Sequence, residues 1–403
     1  MSNRNGCIVV GGGLAAANVV AGLREGGYAE RIMLVGDEPV APYERPALSK
    51  DFLLGKAERE SLFVHPYDWY GENDVELVLA DAASSIDRAA KTVTLASGLQ
   101  RSYEELVIAT GASPRTIPLD GADLVGVHVL RRISDSETLR SAFDQGVRIA
   151  VIGAGWIGLE VAAAASAKGC DVTVLESADV PLAVALGREM GSHFARLHRA
   201  HGVDLRTGVS VAGIVGSAGR VAGVRVGDEV VDADLVLIGV GARPNTELAE
   251  SSGLRVDNGI AVDSRLRTED PAILAVGDVA SADNTTLGRR IRVEHWDNAI
   301  RQGRLAASSI LGRDDVYDWQ PYFYTDQYDL GMEYVGLGGP DDEVVVRGDA
   351  ESSEFVAFWL RDGSVSAAMN VNVWDVNDTL RELVGRTIPA DRLRNEAVPL
   401  TEI

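Results

Sequence analysis

The stretch that decides the fold is RIAVIGAGWIGLE, residues 148–160, in which an apolar run leads into the glycines Gly153, Gly155 and Gly158. A strand, a glycine turn and a helix in this order can hold a dinucleotide, because the N–H groups and dipole at the helix start attract its pyrophosphate. Gly153 gives the tight turn, Gly155 lets phosphates approach the backbone, and Gly158 lets the helix lie close to the strand. The stretch therefore predicts a nucleotide-binding βαβ unit.

The same pattern occurs a second time near the start of the chain. In IVVGGGLAAA, residues 8–17, Gly11 and Gly13 fill the first two positions and the small residue Ala16 fills the third. The two copies lie 142 residues apart, which is too far for a solenoid repeat and suits two nucleotide-binding domains. One such pattern is weak evidence, but two copies, each between a strand and a helix, predict two bound dinucleotides.

Each copy is followed by a strand that ends near an acidic residue. In the second copy this is Glu176, the last residue of DVTVLE, whose carboxylate can accept hydrogen bonds from both ribose hydroxyls. A 2′-phosphate would meet like charge there, so NADH is predicted in preference to NADPH. The first copy's strand ends in LVGDE, which makes Asp37 the predicted ribose ligand and Glu38 the reserve.

The order of the remaining elements indicates an α/β protein. Short strands and a hairpin separate the two copies, and the endings IATGASPR and GVGARPN show the same passage from a strand into a glycine turn. Alternating apolar residues from DEVVVRGD to SVSAAMNVNV predict a small antiparallel sheet, followed by a helix from about Trp374 to Gly385. We therefore predict two Rossmann-like domains and a small α+β C-terminal domain.

Charge and composition exclude several classes of function. The 403-residue chain carries a formal net charge of −22, which disfavours nucleic acid and anionic membranes as partners. No uncharged apolar run reaches the ~18 residues of a membrane span, and Cys7 and Cys170 indicate reduced, inert thiols, so we predict a cytoplasmic protein. His193, His198 and His201 share one predicted helix without carboxylate or thiol companions, so we predict no metal site and expect solvated imidazoles.

Several motifs together resemble a known family, the FAD-containing, NADH-dependent ferredoxin reductases of bacterial P450 and ring-hydroxylating dioxygenase systems. The resemblance covers essentially the whole chain and lies in motifs of fixed order: GGGLAAA, PYERPALSK, IATGASPR, GAGWIGLE, GVGARPN, AVGDVA, EHWDNAIRQG and PYFYTDQYDL. It implies FAD in the first nucleotide domain and NADH, as co-substrate, in the second. The implied divisions are 1–112 and 245–322 for the FAD domain, 113–244 for the NAD domain, and 323–403 for the C-terminal domain.

The resemblance also assigns site residues. It implies an ion pair between Lys50 and Glu160 beside the flavin nitrogen N5, and a carboxylate on the apolar helix face GWIGLEVAAAA is costly to bury without such a partner. A solvated helix residue is the alternative for Glu160. The implied FAD contacts are Gly11, Gly13, Ala16, Asp37, Arg45, Lys50, Thr110, Gly111, Arg131, Asp278, Glu294 and Trp296. The implied NAD contacts are Gly153, Gly155, Gly158, Glu160, Glu176 and Gly241.

The chain departs from the family pattern at three places. Relatives often have a double proline where residues 46–48 read PAL, which predicts a less rigid loop beside Lys50. They also often carry a tryptophan pair where residues 322–324 read YFY, so the electron exit is expected to pack differently. No basic residue follows Glu176 closely, and Arg188 is the first candidate to grip the adenosine end of NADH. Ordinary core or interface roles remain open for Trp296, Tyr322 and Tyr324.

A local excess of positive charge suggests where a partner binds. Between residues 288 and 313 the chain has six arginines against two acids, an excess of +4. We call these six residues the arginine cluster: Arg289, Arg290, Arg292, Arg301, Arg304 and Arg313. The [2Fe-2S] ferredoxins that the resemblance implies as partners are acidic, so the cluster is the predicted docking surface. A solvated helix face without a partner is the alternative.

The resemblance implies an NADH:ferredoxin oxidoreductase, in which hydride passes from NADH to FAD and single electrons pass to a [2Fe-2S] ferredoxin that serves a P450 or a dioxygenase. An NADH:quinone or monodehydroascorbate-type reductase would keep both cofactor sites and change the acceptor. An apoptosis-inducing-factor-like flavoprotein would use NADH to dimerise and bind partners. Thiol chemistry is set aside, because the loop APYERPALSK lacks the cysteine that such reductases need. A monomer or weak dimer is expected.

Overall fold

The structure is a computed structural model that describes residues 6–403, so the first five residues of the predicted segment 1–112 lie outside it. The chain divides into two compact units. The first comprises residues 6–45, 58–113 and 242–321, and the second comprises residues 46–57, 114–241 and 322–403. Residues 46–57, which the sequence analysis grouped with the first FAD segment, thus belong to the second unit.

The core of the first unit is a five-stranded parallel sheet. Its strands, in spatial order, are Ile273–Ala275, Glu105–Ile108, Cys7–Val10, Ile32–Val35 and Val75–Val78. Cys7–Val10 is buried along its whole length and continues through the first glycine turn into helix Leu14–Glu25. Both of its neighbours, Ile32–Val35 and Glu105–Ile108, follow it in the chain but lie on opposite sides of it in the sheet, so the strand order reverses here. The turn therefore lies at a topological switch point, where such sheets bind ligands.

Smaller elements complete the first unit. Two three-stranded sheets each contain an antiparallel hairpin. A separate two-stranded sheet pairs Ala112–Pro114 with Ala242–Pro244, the short strands within the motifs IATGASPR and GVGARPN. The strands are Ala83–Asp87, Thr92–Leu95, Gln100–Ser102, Ala112–Pro114, Ala242–Pro244, Ile260–Val262, Ala280–Asn284 and Arg289–Arg292. The other helices are Tyr67–Glu72, Glu247–Ser251 and Trp296–Ile310, with 3₁₀ turns at Arg59–Leu62 and Gly277–Val279.

The second unit repeats the parallel sheet of the first. Its strands, in spatial order, are Asp204–Arg206, Asp171–Leu175, Arg148–Ile152, Leu235–Ile238 and Val127–His128. Arg148–Ile152 lies at the switch point and leads through the second glycine turn into helix Trp156–Ala167. An antiparallel sheet of Val211–Ser217, Arg220–Val226 and Glu229–Asp232 follows the second long helix of this unit, Ala183–Ala200. That helix is interrupted at Gly187, whose φ is +76°.

A five-stranded antiparallel sheet forms the C-terminal part of the second unit. Its spatial order is Tyr322–Gln327, Leu330–Gly336, Ser364–Val371, Glu354–Arg361 and Glu343–Asp349. Apolar residues of these strands pack on the short helices Asn377–Leu383 and Ala390–Arg394. The remaining elements of the unit are helix Ile133–Phe143 and 3₁₀ turns at Pro46–Ser49 and Leu400–Glu402.

The predicted fold class, two Rossmann-like parallel-sheet units with an antiparallel C-terminal sheet, is confirmed. One predicted element is shorter than expected: the helix expected from Trp374 begins only at Asn377 and ends at Leu383. The reason is local, because Asp375 has a left-handed φ of +61°, which a continuous helix does not accommodate. Within residues 6–403, no helix combines the length and the apolar composition needed to cross a membrane.

Candidate active site

The second glycine turn leaves room where a pyrophosphate would approach. A Cβ atom at Gly153 would lie 2.6 Å from the carbonyl oxygen of Gly239, and one at Gly158 would lie 2.2 Å from that of Gly153, so packing excludes side chains there. At Gly155 the nearest atom to an added Cβ is 3.9 Å away. Gly155 caps helix Trp156–Ala167 without a side-chain hydrogen bond, so the first N–H groups of the helix can bind an anion.

The first glycine turn has the same design with a cation beside it. At Gly11, whose φ is +120°, an added Cβ would lie 2.1 Å from the carbonyl oxygen of Ala109. Gly13 caps helix Leu14–Glu25 without a side-chain hydrogen bond, and the guanidinium of Arg45 lies 3.2 Å from its added Cβ. Ala16, the small third residue, is fully buried. The turn and Arg45 therefore suit a second pyrophosphate.

The carboxylate of Glu176 is hydrogen-bonded to the backbone of the second glycine turn. Its Oε2 accepts a hydrogen bond from the N–H of Ala154 at 2.6 Å, and its Oε1 accepts one from the N–H of Ala178 at 2.8 Å. Carboxylate oxygens have spare lone pairs, so Glu176 can still accept hydrogen bonds from ribose hydroxyls. Arg188, the candidate for the adenosine end, is 74% exposed and pairs with Asp179.

The two acids that follow strand Ile32–Val35 of the first βαβ unit occupy different environments. The carboxylate of Glu38 accepts hydrogen bonds from the Tyr43 hydroxyl at 2.9 Å and from Arg45 at 3.1 Å. Asp37 is exposed at the end of the strand. Glu38, the reserve candidate, is thus held beside Arg45, while the choice of Asp37 as the ribose ligand stays a prediction.

Lys50 and Glu160 form a buried ion pair within the second unit. Lys50 Nζ lies 2.8 Å from Glu160 Oε1, and the two side chains are 13% and 4% exposed. Thr325 Oγ1 donates to the same oxygen at 2.6 Å, while the Ser49 hydroxyl donates to Oε2. These three donors offset much of the cost of burying the carboxylate. The alternative of a solvated Glu160 is excluded, and the ammonium also lies 5.5 Å from the centre of the Tyr324 ring.

Thr110 and Gly111 are held by a residue that the sequence analysis did not select. Thr110 Oγ1 donates to the carbonyl oxygen of Asn245 at 2.8 Å, and Asn245 Nδ2 donates to that of Thr110 at the same distance. The N–H of Asn245 also donates to the carbonyl oxygen of Gly111 at 3.0 Å. Asn245 ends the motif GVGARPN, but nothing in that pattern indicates its pairing with residues 135 positions earlier.

The turn that contains Asp278 is fixed from two sides. The N–H of Gly277 donates to the amide oxygen of buried Gln302 at 2.8 Å. Arg292 donates to the carbonyl oxygen of Asp278 at 3.1 Å and pairs with Glu294. Gln302 was missed by the sequence analysis although it lies in the motif EHWDNAIRQG. Glu294, a predicted flavin contact, is therefore positioned by Arg292.

The predicted aromatic and remaining positions have defined neighbours. The indole of Trp296 donates to Glu44 at 3.0 Å within the first unit, which links two of the motifs that carried the family resemblance. The backbone N–H of Arg131 donates to Asp135 at 2.9 Å, and Gly241, with a φ of +98°, accepts from the N–H of Arg115 at 2.9 Å. Contacts of Trp296, Arg131 and Gly241 with a nucleotide stay predictions.

The expectation that all three histidines are solvated is wrong for His193 and His198, which are both buried. Helix Ala183–Ala200 places them on its inner side, whereas His201 follows the last turn and is exposed. Burial lowers the pKa of His198 to about 4, and it also lowers the pKa of His193. Among residues 6–403, no three His, Cys, Asp or Glu side chains are grouped as a metal ion would require.

The arginine cluster is less basic in the fold than in the sequence. Four of its members are paired with carboxylates: Arg290 with Asp283, Arg292 with Glu294, Arg301 with Asp297, and Arg304 with Glu25. Two of these acids, Asp283 and Glu25, lie outside the window that gave the excess of +4, so the folded surface carries an excess of two. Arg289 and Arg313 are exposed, and neither forms an ion pair within the part of the chain that the structure describes.

Two uncapped glycine turns, each at the switch point of its own parallel sheet, define a protein that binds two dinucleotides, and the buried Lys50–Glu160 pair defines a polar site next to the second turn. Proteins of this class are pyridine-nucleotide-dependent oxidoreductases. The chain belongs to the pyridine nucleotide-disulphide oxidoreductase family, whose sequence model matches residues 6–303. Residues 322–403 match the family described as reductase C-terminal.

Individual relatives are similar over nearly their whole length. The chain is 39% identical to the rhodocoxin reductase of Rhodococcus erythropolis, over 95% of this chain and 90% of the relative. It is 40% identical to the ferredoxin–NAD(+) reductase component of the anthranilate 1,2-dioxygenase system of Burkholderia cepacia, over 95% of each chain. The reductase in the crystal structure of the covalent putidaredoxin reductase–putidaredoxin complex superimposes with a TM-score of 0.95 at 36% identity, over 99% of this chain and 98% of that chain.

These similarities confirm the family resemblance that the motifs indicated. They also confirm that the protein is an oxidoreductase and that the cofactors of its family are FAD and NAD(H). The glycine turns fit these cofactors, because both have an uncapped helix start, with open space beside Gly155 at the second turn and the guanidinium of Arg45 beside Gly13 at the first.

Proposed function

We propose that this chain is an NADH-dependent ferredoxin reductase, which passes electrons from NADH to a [2Fe-2S] ferredoxin that serves a P450 or a dioxygenase. One NADH would reduce two ferredoxins by one electron each, leaving NAD⁺ and one proton. The observation that carries the proposal is the pair of uncapped glycine turns, one at the switch point of each parallel sheet. We call these two turns the first and second nucleotide cradles. The named relatives, which include reductases of ferredoxin-like proteins, support the choice of acceptor.

The first cradle would hold FAD. The N–H groups that follow Gly13 and the guanidinium of Arg45 would bind its pyrophosphate, with Thr110, Gly111 and the turn at Asp278 as further contacts. Bound FAD supplies the conversion of a two-electron hydride into single electrons. Gln302 would act indirectly, because it fixes the backbone of the turn before Asp278.

The second cradle would hold NADH. The N–H groups that follow Gly155 would bind its pyrophosphate, and Glu176 would accept the adenosine ribose hydroxyls. The charge of Glu176 would disfavour the 2′-phosphate of NADPH. Arg188 would contribute little to affinity, because it is exposed and already paired with Asp179.

The ion pair of Lys50 and Glu160 would serve the hydride step. As the family resemblance implies, its ammonium would lie beside the flavin nitrogen that receives hydride and would stabilise negative charge there. Glu160, with its three donors, would hold that ammonium in one position. The arginine cluster would contribute to the docking of an acidic ferredoxin chiefly through Arg289 and Arg313, which are exposed without ion pairs in residues 6–403.

Three measurements on purified protein test this function. We expect a yellow protein whose flavin absorbance bleaches when NADH is added without oxygen, and cytochrome c reduction that increases strongly when a [2Fe-2S] ferredoxin is added. A colourless protein, or one whose flavin NADH does not bleach, would overturn the proposal. Equal cytochrome c reduction with and without ferredoxin would favour a quinone-type acceptor, and slow bleaching with a long-lived charge-transfer band would favour an NADH-responsive binding protein.

A further inference from the structure

A line of buried polar side chains leads away from Glu160 inside the second unit. We propose that Thr325, Gln327 and His198 are positioning residues, which hold Glu160 in the orientation that fixes Lys50. The inference rests on the proposed function, because it assumes that the Lys50–Glu160 pair serves the hydride step. It goes further by extending the site to residues that no nucleotide motif contains.

The contacts in this line are continuous. Thr325 Oγ1 lies 2.6 Å from Glu160 Oε1, Gln327 Nε2 lies 3.2 Å from Thr325 Oγ1, and His198 Nε2 lies 2.8 Å from Gln327 Oε1. Thr325 and Gln327 are two residues apart on strand Tyr322–Gln327, so both point to the same buried face of the sheet. All four side chains are nearly or fully buried. No solvent molecule is needed to join any two of them.

The protons available on each side chain decide which group donates in each hydrogen bond of the line. The carboxylate of Glu160 only accepts, so the single hydroxyl proton of Thr325 is donated to it. Thr325 must then accept from Gln327, which requires the amide nitrogen to face the hydroxyl and leaves the amide oxygen facing His198. That oxygen accepts, so His198 carries its proton on Nε2. Each donor in the line therefore points toward Glu160.

The protonation state of His198 agrees with this direction. Burial lowers the pKa of His198 to about 4, so at neutral pH the ring is uncharged and has one proton. With that proton on Nε2, Nδ1 can accept a hydrogen bond from the Tyr328 hydroxyl, which lies 3.3 Å away. The ring is therefore fixed at both nitrogens in a single tautomer.

The arrangement suits positioning and does not suit proton transfer. An amide has no proton that it readily gives up, so Gln327 interrupts any relay between His198 and Glu160. Thr325 and Lys50, in contrast, share one oxygen of Glu160, while Ser49 holds the other. Loss of the Thr325 bond would let the carboxylate rotate and would move the ammonium that it holds.

Substitution of Thr325 is the main test. Thr325→Val keeps the shape and removes both hydrogen bonds, whereas Thr325→Ser keeps the hydroxyl. A hydrogen bond to a charged group is worth roughly a factor of ten or more, so we expect Thr325→Val to slow anaerobic reduction of the flavin by NADH about tenfold. We expect Thr325→Ser to stay within about threefold of wild type. The Kd for NADH should stay the same in both variants, because neither changes the glycine turn that would bind the pyrophosphate.

A matched pair of histidine variants separates positioning from stability. His193 and His198 are buried imidazoles on the same helix. Within residues 6–403, however, the only hydrogen-bond partner of His193 is the carbonyl oxygen of Ala350, and His193 has no contact with Thr325 or Gln327 through a hydrogen bond. We expect His198→Phe and His193→Phe both to lower Tm, and only His198→Phe to slow flavin reduction. His198→Gln, which keeps an N–H donor in the position of Nε2, is expected to restore the rate. Equal rates for both Phe variants would contradict the proposal.

The tautomer of His198 can be measured without any activity assay by ¹⁵N NMR of protein labelled at histidine, of which the chain has six. We expect one neutral ring protonated at Nε2, identified by its absence from His198→Gln, and we expect its shift to change in Thr325→Val. A ring protonated at Nδ1, or a shift that Thr325→Val leaves unchanged, would overturn the proposal.

The outcomes distinguish this inference from the proposed function. If NADH does not bleach the wild-type flavin, the proposed function fails. If wild type bleaches, Glu160→Gln slows the reaction and Thr325→Val matches wild type, only the positioning role fails. If Glu160→Gln also matches wild type, the ion pair has no part in the hydride step. Both the proposed role of Lys50 and Glu160 and the positioning role of Thr325 would then be wrong.

Discussion

At the second glycine turn, Gly155 and Gly158 differ in what surrounds them, and alanine substitutions should separate binding from packing. An added Cβ at Gly155 meets nothing closer than 3.9 Å and its φ is −78°, which alanine adopts freely. At Gly158 the added Cβ would lie 2.2 Å from a carbonyl oxygen. We expect Gly155→Ala to weaken NADH binding at least tenfold with an unchanged Tm, because the methyl group fills the pyrophosphate approach.

The matched variant Gly158→Ala is expected to lower Tm instead, because the backbone around Gly153 must move. Fluorescence titration with NADH and thermal unfolding of both variants provide the measurement. Normal NADH affinity in Gly155→Ala would place the pyrophosphate elsewhere.

Glu176 gives a second prediction at the residue scale, this time about cofactor choice. We expect Glu176→Gln to raise the ratio of kcat/KM for NADPH to that for NADH about tenfold, because it removes the like charge near the 2′-phosphate. The amide oxygen can still accept the N–H of Ala154, so the hydrogen bond to the glycine turn should stay, while the hydrogen bond from the N–H of Ala178 is lost. Steady-state kinetics with both nucleotides check this, and an unchanged ratio would show that Glu176 does not face the ribose.

At the scale of elements, helix Ala183–Ala200 buries a titratable ring against strand Tyr322–Gln327. The pKa of His198 is about 4 in the folded protein and is ordinarily 6.5, so the unfolded chain binds its proton first as the pH falls. The contribution to stability is therefore full above pH 6.5 and is lost between pH 6.5 and 4. A shift of this size amounts to about 3 kcal/mol in total, of which about 2 kcal/mol is lost by pH 5.

Urea unfolding at pH 7 and pH 5 measures this effect, with His198→Gln as the comparison. We expect wild type to lose about 2 kcal/mol more than the variant between these pH values, because glutamine does not titrate. Equal losses would mean that His198 is protonated in the folded protein or reaches solvent. The comparison cancels the carboxylates, which both proteins share.

At the scale of the whole molecule, the net charge of −22 makes Arg289 and Arg313, which form no ion pair within residues 6–403, important for any acidic partner. We expect replacement of Arg289 and Arg313 by alanine to raise KM for a [2Fe-2S] ferredoxin about three- to tenfold at low salt and much less at 0.5 M salt. The kcat and the rate of flavin reduction by NADH should not change. The exposed Arg220, far from the cluster in sequence, is the control, and an equal effect of Arg220→Ala would argue against a localised docking surface.

The sequence by itself determined the two nucleotide cradles, the parallel sheets around them and the antiparallel C-terminal sheet. These features depend on neighbours in the chain: a strand, a glycine turn and a helix follow one another within about twenty residues, and alternating apolar residues indicate a half-buried strand. The tertiary structure alone decided that Ser49 and Thr325 also bind Glu160, that His193 and His198 are buried, and how much charge the arginine cluster keeps. Thr325 lies 165 residues from Glu160, and Glu25 lies 279 residues from Arg304. Hydrogen bonding, desolvation and ion pairing act over a few ångströms in space, so local patterns cannot reveal them when the chain brings together such distant residues.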